Sequence, residues 1–328
     1  MRIGLFGTGF MGTTHAERYR EMDDADVAAV ASPSGAAGFV AEHAPDAAAY
    51  DDATALLDDA ADLGLDAVDV CTPTPTHREL VEAAAARGLD ALCEKPLALT
   101  LADATAMAEA AADAGTTLMV AHVVRFFPAY RALRDALADG TVGDVERIHA
   151  RRVSPFPDWS DWFADEDRSG GLFHDLAIHE LDFCRWAVGP VDRVFARSAE
   201  RGGRPRGHAT LRFANGAVGT VEAGWDRPPG GDLHSAVEVA GTAGRLAHDS
   251  AGDAPVRLTD DEGTATDPAE GRDGYRRQLD AFVRCVREGE EPPVGVDEGI
   301  AAVRLALATR RSAARGEPVA VADVEVGT

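Results

Sequence analysis

Arg2-Ile3-Gly4-Leu5-Phe6-Gly7-Thr8-Gly9-Phe10-Met11-Gly12 is a short apolar run that passes without a gap into G-x-G-x-x-G. His15-Ala16-Glu17-Arg18-Tyr19 then continues as a helix. A glycine triplet of this spacing is weak evidence alone. Between a strand and a helix it is the turn that binds a dinucleotide. Gly7 allows the tight turn, Gly9 lets the backbone approach a pyrophosphate, and Gly12 brings helix against strand; Thr8, Phe10 and Met11 complete the cofactor-binding segment. The free N–H groups of the helix start face the phosphates.

Working outward, Val27–Ala31 reads as a second strand and Ala67–Cys71, Leu89–Glu94 and Thr117–Ala121 as further ones. Helices fall between them at Phe39–His43, Asp52–Asp59, Arg78–Arg87 and, capped by Thr100, up to Ala114. Strands alternating with helices predict a doubly wound parallel sheet, a Rossmann domain over residues 1–121. The acid that holds an adenosine ribose belongs about 20 residues past the last glycine. Ser32 stands there instead, followed by Pro33-Ser34-Gly35. A 2′-phosphate is therefore not repelled, yet no arginine lies between Ser32 and Glu42 to receive one. The cofactor is NAD or NADP, with a slight lean to NADP.

Beyond residue 121 the rhythm changes. A helix at Tyr130–Ala138 gives way to extended segments at Val145–Val153, Val191–Ser198, Ala209–Phe213, Ala217–Ala223, Ala236–Val239 and Arg245–His248. Asn215-Gly216 is a hairpin signal between two of them. Residues 122–328 thus read as an α+β domain with a mainly antiparallel sheet. Helices follow at Tyr275–Arg287 and Asp297–Arg311, with a last strand at Pro318–Val324. The polar, glycine-rich stretch Asp249–Arg272 reads as an excursion from the sheet.

Two constellations carry chemistry. Of 32 basic residues one is lysine, Lys95, so 31 are arginine. Arginine stays protonated in proteins, whereas a lysine ammonium exchanges protons and acts as a compact point donor. Ala91-Leu92-Cys93 runs into Glu94-Lys95-Pro96 as a buried strand would, and Pro96 stops it and permits a cis peptide. Thr72-Pro73-Thr74-Pro75-Thr76-His77 forms a rigid loop at the carboxyl end of the neighbouring strand, where open α/β sheets place ligands.

The second constellation is Gly170-Gly171-Leu172-Phe173-His174-Asp175-Leu176-Ala177-Ile178-His179-Glu180-Leu181-Asp182. Read as one helix from Leu172, it puts Asp175, His179 and Asp182 on one face. An imidazole beside a carboxylate is a general base poised near neutral pH. A surface helix without function and a metal site from the same three residues are the competing readings; the expectation is no metal, since no second histidine shares the face. His122, Arg125, Arg151, Trp159, Trp162 and Arg168 are candidate substrate contacts.

The totals bound the partners. A formal net charge of −24 on 328 residues, with the acids dispersed, disfavours nucleic acid and anionic membrane and suggests a surface adapted to concentrated salt. Cys71, Cys93, Cys184 and Cys285 form no CxxC pair and read as reduced thiols of a cytoplasmic protein. Strand-like sequence from Arg2 leaves no place for a signal peptide, and no apolar run reaches the length of a membrane span.

The dinucleotide turn, Cys71-Thr72-Pro73-Thr74-Pro75-Thr76-His77, Glu94-Lys95-Pro96 and Gly170-Gly171-x3-Asp175-x3-His179, in this order and at these separations, resemble the glucose–fructose oxidoreductase/inositol dehydrogenase (Gfo/Idh/MocA) family over essentially the whole chain. The resemblance implies a nucleotide-binding domain followed by a substrate-binding α/β domain with a large open sheet, often used to form homodimers or homotetramers. It implies NAD(P)-dependent chemistry on a sugar, inositol or related polyol. By position, Lys95 matches the family's catalytic lysine, Asp175 and His179 its acid/base pair, and Thr72, Pro73, His77 and Glu94 the lining of the nicotinamide half of the cofactor. Ser32 departs from the acid common in NAD-using members. Two other classes on this fold stay open: non-catalytic NAD(P) sensors, and glycosidases that use bound NAD transiently.

Overall fold

Ile3, Leu5 and Phe6 are wholly buried, so Arg2–Phe6 (β1) sits inside a sheet, as an apolar run without alternation requires. The structure is a computed structural model that describes residues 1–158, 161–252, 256–267, 271 and 273–326. After β1 come Phe10–Tyr19 (α1), Asp26–Ala31 (β2), Ala36–His43 (α2), Ala48–Tyr50 (β3), Ala53–Asp58 (α3), Ala60–Leu63 (α4), Ala67–Val70 (β4), His77–Ala85 (α5), Asp90–Glu94 (β5), Leu101–Ala114 (α6) and Leu118–Ala121 (β6). The expected cap is present: the Thr100 hydroxyl accepts the Asp103 N–H and so satisfies one orphan donor of α6. The six strands are ordered β3-β2-β1-β4-β5-β6 and pair in parallel. The order reverses between β1 and β4, and at such a switch point the loops at the strand carboxyl ends splay apart to leave a crevice.

The second unit contains Pro128–Ala138 (α7), Val145–Pro155 (β7), Glu166–Ser169 (α8), Gly171–Asp175 (α9), Ile178–Val188 (α10), Val191–Glu200 (β8), Pro205–Phe213 (β9), Val218–Arg227 (β10), His234–Gly241 (β11), Arg245–Asp249 (β12), Val256–Asp260 (β13) and Gly263–Asp267 (β14). Gly274–Glu288 (α11), Val296–Arg315 (α12) and Val319–Ala320 (β15) complete the chain. Nine strands form one sheet, β14-β13-β12-β11-β7-β10-β9-β8-β15, antiparallel throughout except for β7 beside β10. Asn215-Gly216 makes the β9–β10 hairpin: Gly216 has φ +92°, and the Asn215 Oδ1 accepts the Ala217 N–H at 3.1 Å.

Several expectations need correction. The stretch from Asp249 onward is no excursion, because β13 and β14 extend the sheet; β14 is exposed along its length, paired to β13 through its backbone and a Thr259–Thr264 hydroxyl contact at 3.3 Å, and no alternation marked it. The last strand shrinks to Val319–Ala320 before a single 3₁₀ turn. The helix read from Leu172 breaks in two. The chain also does not divide at one point: residues 1–123 with 273–300 form one compact unit, and 124–272 with 301–328 the other. Residues 273–300 join the first because α11 lies along α1, where Asp273 accepts from the Arg18 guanidinium at 2.9 Å and Arg287 pairs with Asp24 at 3.0 Å. All four cysteines are free thiols. Among the described residues, no helix is long and apolar enough to cross a membrane.

Candidate active site

The glycine turn has the geometry its spacing demands. Gly7 adopts φ +100°, and a Cβ there would lie 2.5 Å from the Cys71 carbonyl oxygen; one on Gly12 would lie 2.1 Å from the Gly7 carbonyl oxygen. These two glycines exist for close backbone contact. Gly9 differs: its φ is −79° and a Cβ would meet nothing within 4 Å. The space beside it is open, as a backbone that receives a pyrophosphate needs. Phe10 is 62% exposed at the rim, an unusual state for a large apolar ring, while Met11 is half-buried. Thr8 donates to the Ser32 hydroxyl at 2.9 Å, and Ser32 and Ser34 share a further 2.9 Å hydrogen bond. Ser32 is buried and Ser34 exposed, so this hydroxyl chain leads from the turn outward past the end of β2. The fit of a dinucleotide therefore rests on the open flank of Gly9 and on this hydroxyl chain.

Across the switch point, residues 74–76 form a 3₁₀ turn after β4, leaving Thr72 and Pro73 half-buried. β5 ends at Glu94, and the Lys95–Pro96 peptide is cis. Lys95 is half-buried. His77 is turned inward: Nδ1 lies 3.1 and 3.2 Å from the Pro96 and Leu97 carbonyls and Nε2 2.9 Å from the Thr72 carbonyl. Burial lowers its pKa against the pull of those carbonyls, and a neutral ring, with one N–H, donates to the carbonyls on one side only.

Beneath this surface lies a cluster of which sequence reasoning named only Glu94. His15 Nδ1 is 2.8 Å from Asp69 Oδ2, and its Nε2 faces Glu94 Oε1 at 3.6 Å. His15 and Asp69 are wholly buried, and Glu94 is 6% exposed. The other Glu94 oxygen accepts the backbone N–H of Lys95 at 3.1 Å. Burial pushes the Glu94 carboxyl up to about 7, opposed by His15 and Lys95. Burial pulls His15 down, but Asp69, by charge and hydrogen bond, and then Glu94 more than reverse this, and the net shift is upward. For the two members that went unnamed, the signal in sequence was an acid, Asp69, inside an apolar strand.

In the second unit Gly170 and Gly171 adopt φ +76° and +71°, and a Cβ on Gly170 would lie 2.6 Å from the His174 Cβ. α9 closes at Asp175; Leu176-Ala177 then turns, with the Ala177 N–H donating to the Leu172 carbonyl at 2.9 Å, before α10 begins. Asp175, buried, and His179, half-buried, therefore flank a helix break and do not share a continuous helical face. Asp182 is not part of a proton-transfer set. It is 1% exposed and takes a two-pronged pair from Arg125, at 2.7 and 2.6 Å. Glu180 likewise pairs with Arg152 at 2.8 Å. These buried ion pairs fix α10, and with it His179. Arg125 is thus structural, and its guanidinium also lies 5.4 Å from the Trp186 ring. Arg151 pairs with Glu222 at 3.3 Å and lines a cavity of about 430 Å³ with Asp226, Arg227 and His234. Trp162 stacks on Phe163, Arg168 is exposed, and His122 is buried in the first unit. Trp159 lies outside the described residues.

A dinucleotide turn at the switch point with a lysine at the end of a neighbouring strand is the arrangement of a nicotinamide-dependent oxidoreductase. A family model described as "Oxidoreductase family, NAD-binding Rossmann fold" matches residues 1–122, and one described as "GFO/IDH/MocA C-terminal domain" matches residues 130–247. The chain belongs to the GFO/IDH/MocA oxidoreductase family. It is 33% identical to a myo-inositol 2-dehydrogenase of Thermotoga maritima, over 95% of this chain and 96% of that protein. It is 32% identical to a D-xylose 1-dehydrogenase (NADP(+)) of Haloferax volcanii, over 97% and 99%. The solved structure of a probable dehydrogenase from Thermotoga maritima superimposes with a TM-score of 0.85 at 30% identity, covering 99% of this chain and 100% of that one.

Proposed function

We propose that the protein is an NAD(P)-dependent dehydrogenase that moves a hydride between a CH–OH carbon of a sugar, inositol or related polyol and nicotinamide. The observation that carries this reading is the single lysine at the end of β5, one strand from the loop that packs on the glycine turn. The inositol and xylose dehydrogenases named among its relatives support the substrate class. When bound, the nicotinamide supplies the hydride acceptor or donor. Lys95 donates a hydrogen bond to the reacting oxygen and stabilises negative charge as it develops there. His179 takes the hydroxyl proton in oxidation and returns it in reduction, and Asp175 orients that imidazole or binds a neighbouring hydroxyl. Assistance of this kind contributes about 100- to 10,000-fold in rate.

For the cofactor we favour NADP over NAD slightly. No carboxylate stands at Ser32, the Thr8–Ser32–Ser34 hydroxyls lead outward from the turn, and the Haloferax relative is named for NADP(+). A homodimer or homotetramer formed through the nine-stranded sheet, a cytoplasmic location suited to free thiols, and a surface adapted to molar salt belong to the same reading. The test incubates the protein with a panel of polyols and aldoses and each oxidised cofactor in high salt, following the near-ultraviolet absorbance of reduced nicotinamide. Net reduction is expected with at least one polyol. Sugar release without net reduction identifies a glycosidase instead, and cofactor binding without turnover a sensor; either outcome refutes the dehydrogenase.

A further inference from the structure

Resting on the reading of this site as a nicotinamide site, with Glu94 at the end of β5 lining the nicotinamide half of the cofactor, we propose that Glu94 selects the oxidised cofactor over the reduced one, and that this selection switches on as the pH rises through neutrality. The geometry is a buried imidazole between two carboxylates. His15 Nδ1 is bonded to Asp69 at 2.8 Å, whereas its Nε2 and Glu94 Oε1 stand 3.6 Å apart, beyond a good hydrogen bond. Neither of those two atoms has a hydrogen-bond partner among the described residues. The Glu94–His15 contact is thus loose, and the Glu94 charge is only partly compensated from below. Its second oxygen is tied to the Lys95 backbone, at the carboxyl end of β5 beside the switch point.

The groups that face this carboxyl are His15 on α1, Asp69 of β4 with Cys71 just beyond it, Cys93 on its own strand and Lys95 just past that strand's end. Behind His15 stand Arg18 and Tyr19 of α1 and, edge-on at 6.5 Å, Tyr275 of α11. Ala121 pairs beside Glu94 in β6, and His122 follows it. The Cys71, Cys93 and Tyr19 groups are held neutral because burial pushes each well upward. Asp69 holds the His15 Nδ1 at 2.8 Å from the side away from Glu94. Glu94 titrates at about 7, and the His15 imidazole beside it, shifted upward from its ordinary value, loses positive charge in the same direction of pH, so both changes leave the cluster more negative as the pH rises.

Oxidised nicotinamide carries a positive ring and the reduced form does not. A nearby carboxylate in a poorly solvated site therefore favours the oxidised form, by on the order of tenfold for one charge. By linkage, binding the oxidised form lowers the Glu94 pKa and sends a proton to solvent, while binding the reduced form does not. The net charge of −24 acts on both forms from a distance and is screened in molar salt, whereas the buried carboxyl is not.

The experiment measures dissociation constants of oxidised and reduced cofactor by titration calorimetry in molar salt between about pH 6 and pH 8.5, in buffers of different ionisation enthalpy to count protons. The expected result is an affinity ratio, oxidised over reduced, that rises on the order of tenfold across this range, with proton release near pH 7 for the oxidised form alone. The rise disappears in Glu94→Gln and survives in Glu94→Asp. A ratio independent of pH in the parent protein, or equal proton release for both forms, overturns the selection while leaving the dehydrogenase reading intact. Failure of either form to bind overturns both. The parent protein decides the question even if Glu94→Gln does not fold.

Discussion

Adding one methyl group to the glycine turn should have opposite consequences at two positions three residues apart. In Gly12→Ala the new Cβ would sit 2.1 Å from the Gly7 carbonyl oxygen and 3.0 Å from its carbon. An ordinary contact is at least about 3.4 Å, so α1 and the turn must separate by roughly 1.3 Å, and both partners are backbone. Overpacking of that kind costs about 3 kcal/mol. In a unit of 151 residues (1–123 and 273–300) the thermal midpoint should fall by roughly 6–12 °C. In Gly9→Ala the added carbon meets nothing within 4 Å on an extended backbone of φ −79°. Stability should stay within about 0.5 kcal/mol of the parent. The methyl does occupy the flank open to the pyrophosphate, so cofactor affinity should fall by tenfold or more, roughly 1.4 kcal/mol. Denaturant titration of the ligand-free variants and fluorescence titration with reduced cofactor measure the two effects separately. A Gly12→Ala protein as stable as the parent, or a Gly9→Ala protein that binds normally, would refute the assignment of these glycines.

Three further predictions follow from other parts of the molecule. Lys95→Arg should keep cofactor affinity and lose most turnover, because a planar fork does not reproduce a compact point donor; near-normal kcat would contradict the role given to Lys95. Asp182→Ala should destabilise the second unit by about 3–5 kcal/mol by stranding the buried Arg125 charge, and chemical denaturation that showed less than about 1 kcal/mol would deny that the pair is structural. The Glu94 carboxyl rises from 4.5 to about 7 on folding, so the protonated form favours the folded state: its contribution is complete below pH 4.5 and is lost as the pH climbs through about 7. Glu94→Gln should therefore gain roughly 3 kcal/mol on the parent at about pH 8.5 and almost nothing at about pH 4, compared by urea unfolding at each pH.

What the amino-acid sequence determined unaided is whatever depends on neighbours along the chain. The apolar run 2–6 had to be strand, the glycines at 7, 9 and 12 had to be a turn whose backbone is approached closely, and Thr100 had to cap a helix. The one lysine at residue 95 and the proline after it marked the end of β5 for the same local reason. Tertiary structure decided what depends on distant partners. Asp175 and His179 looked like one helical face, but α9 starts at Gly171 and ends at Asp175, where the Ala177 N–H turns back to the Leu172 carbonyl before α10 begins. Asp182 looked available until Arg125, 57 residues earlier, was seen to hold it in the interior. β14 carries no apolar signal because all five of its residues are exposed and its place is set by pairing with β13, which hydrophobic periodicity does not announce. His15, Asp69 and Glu94 lie on three separate elements, and only the strand order β1-β4-β5 brings them together. A periodicity reports one element's exposure to water, whereas a buried charge is defined by the partner that the fold delivers to it.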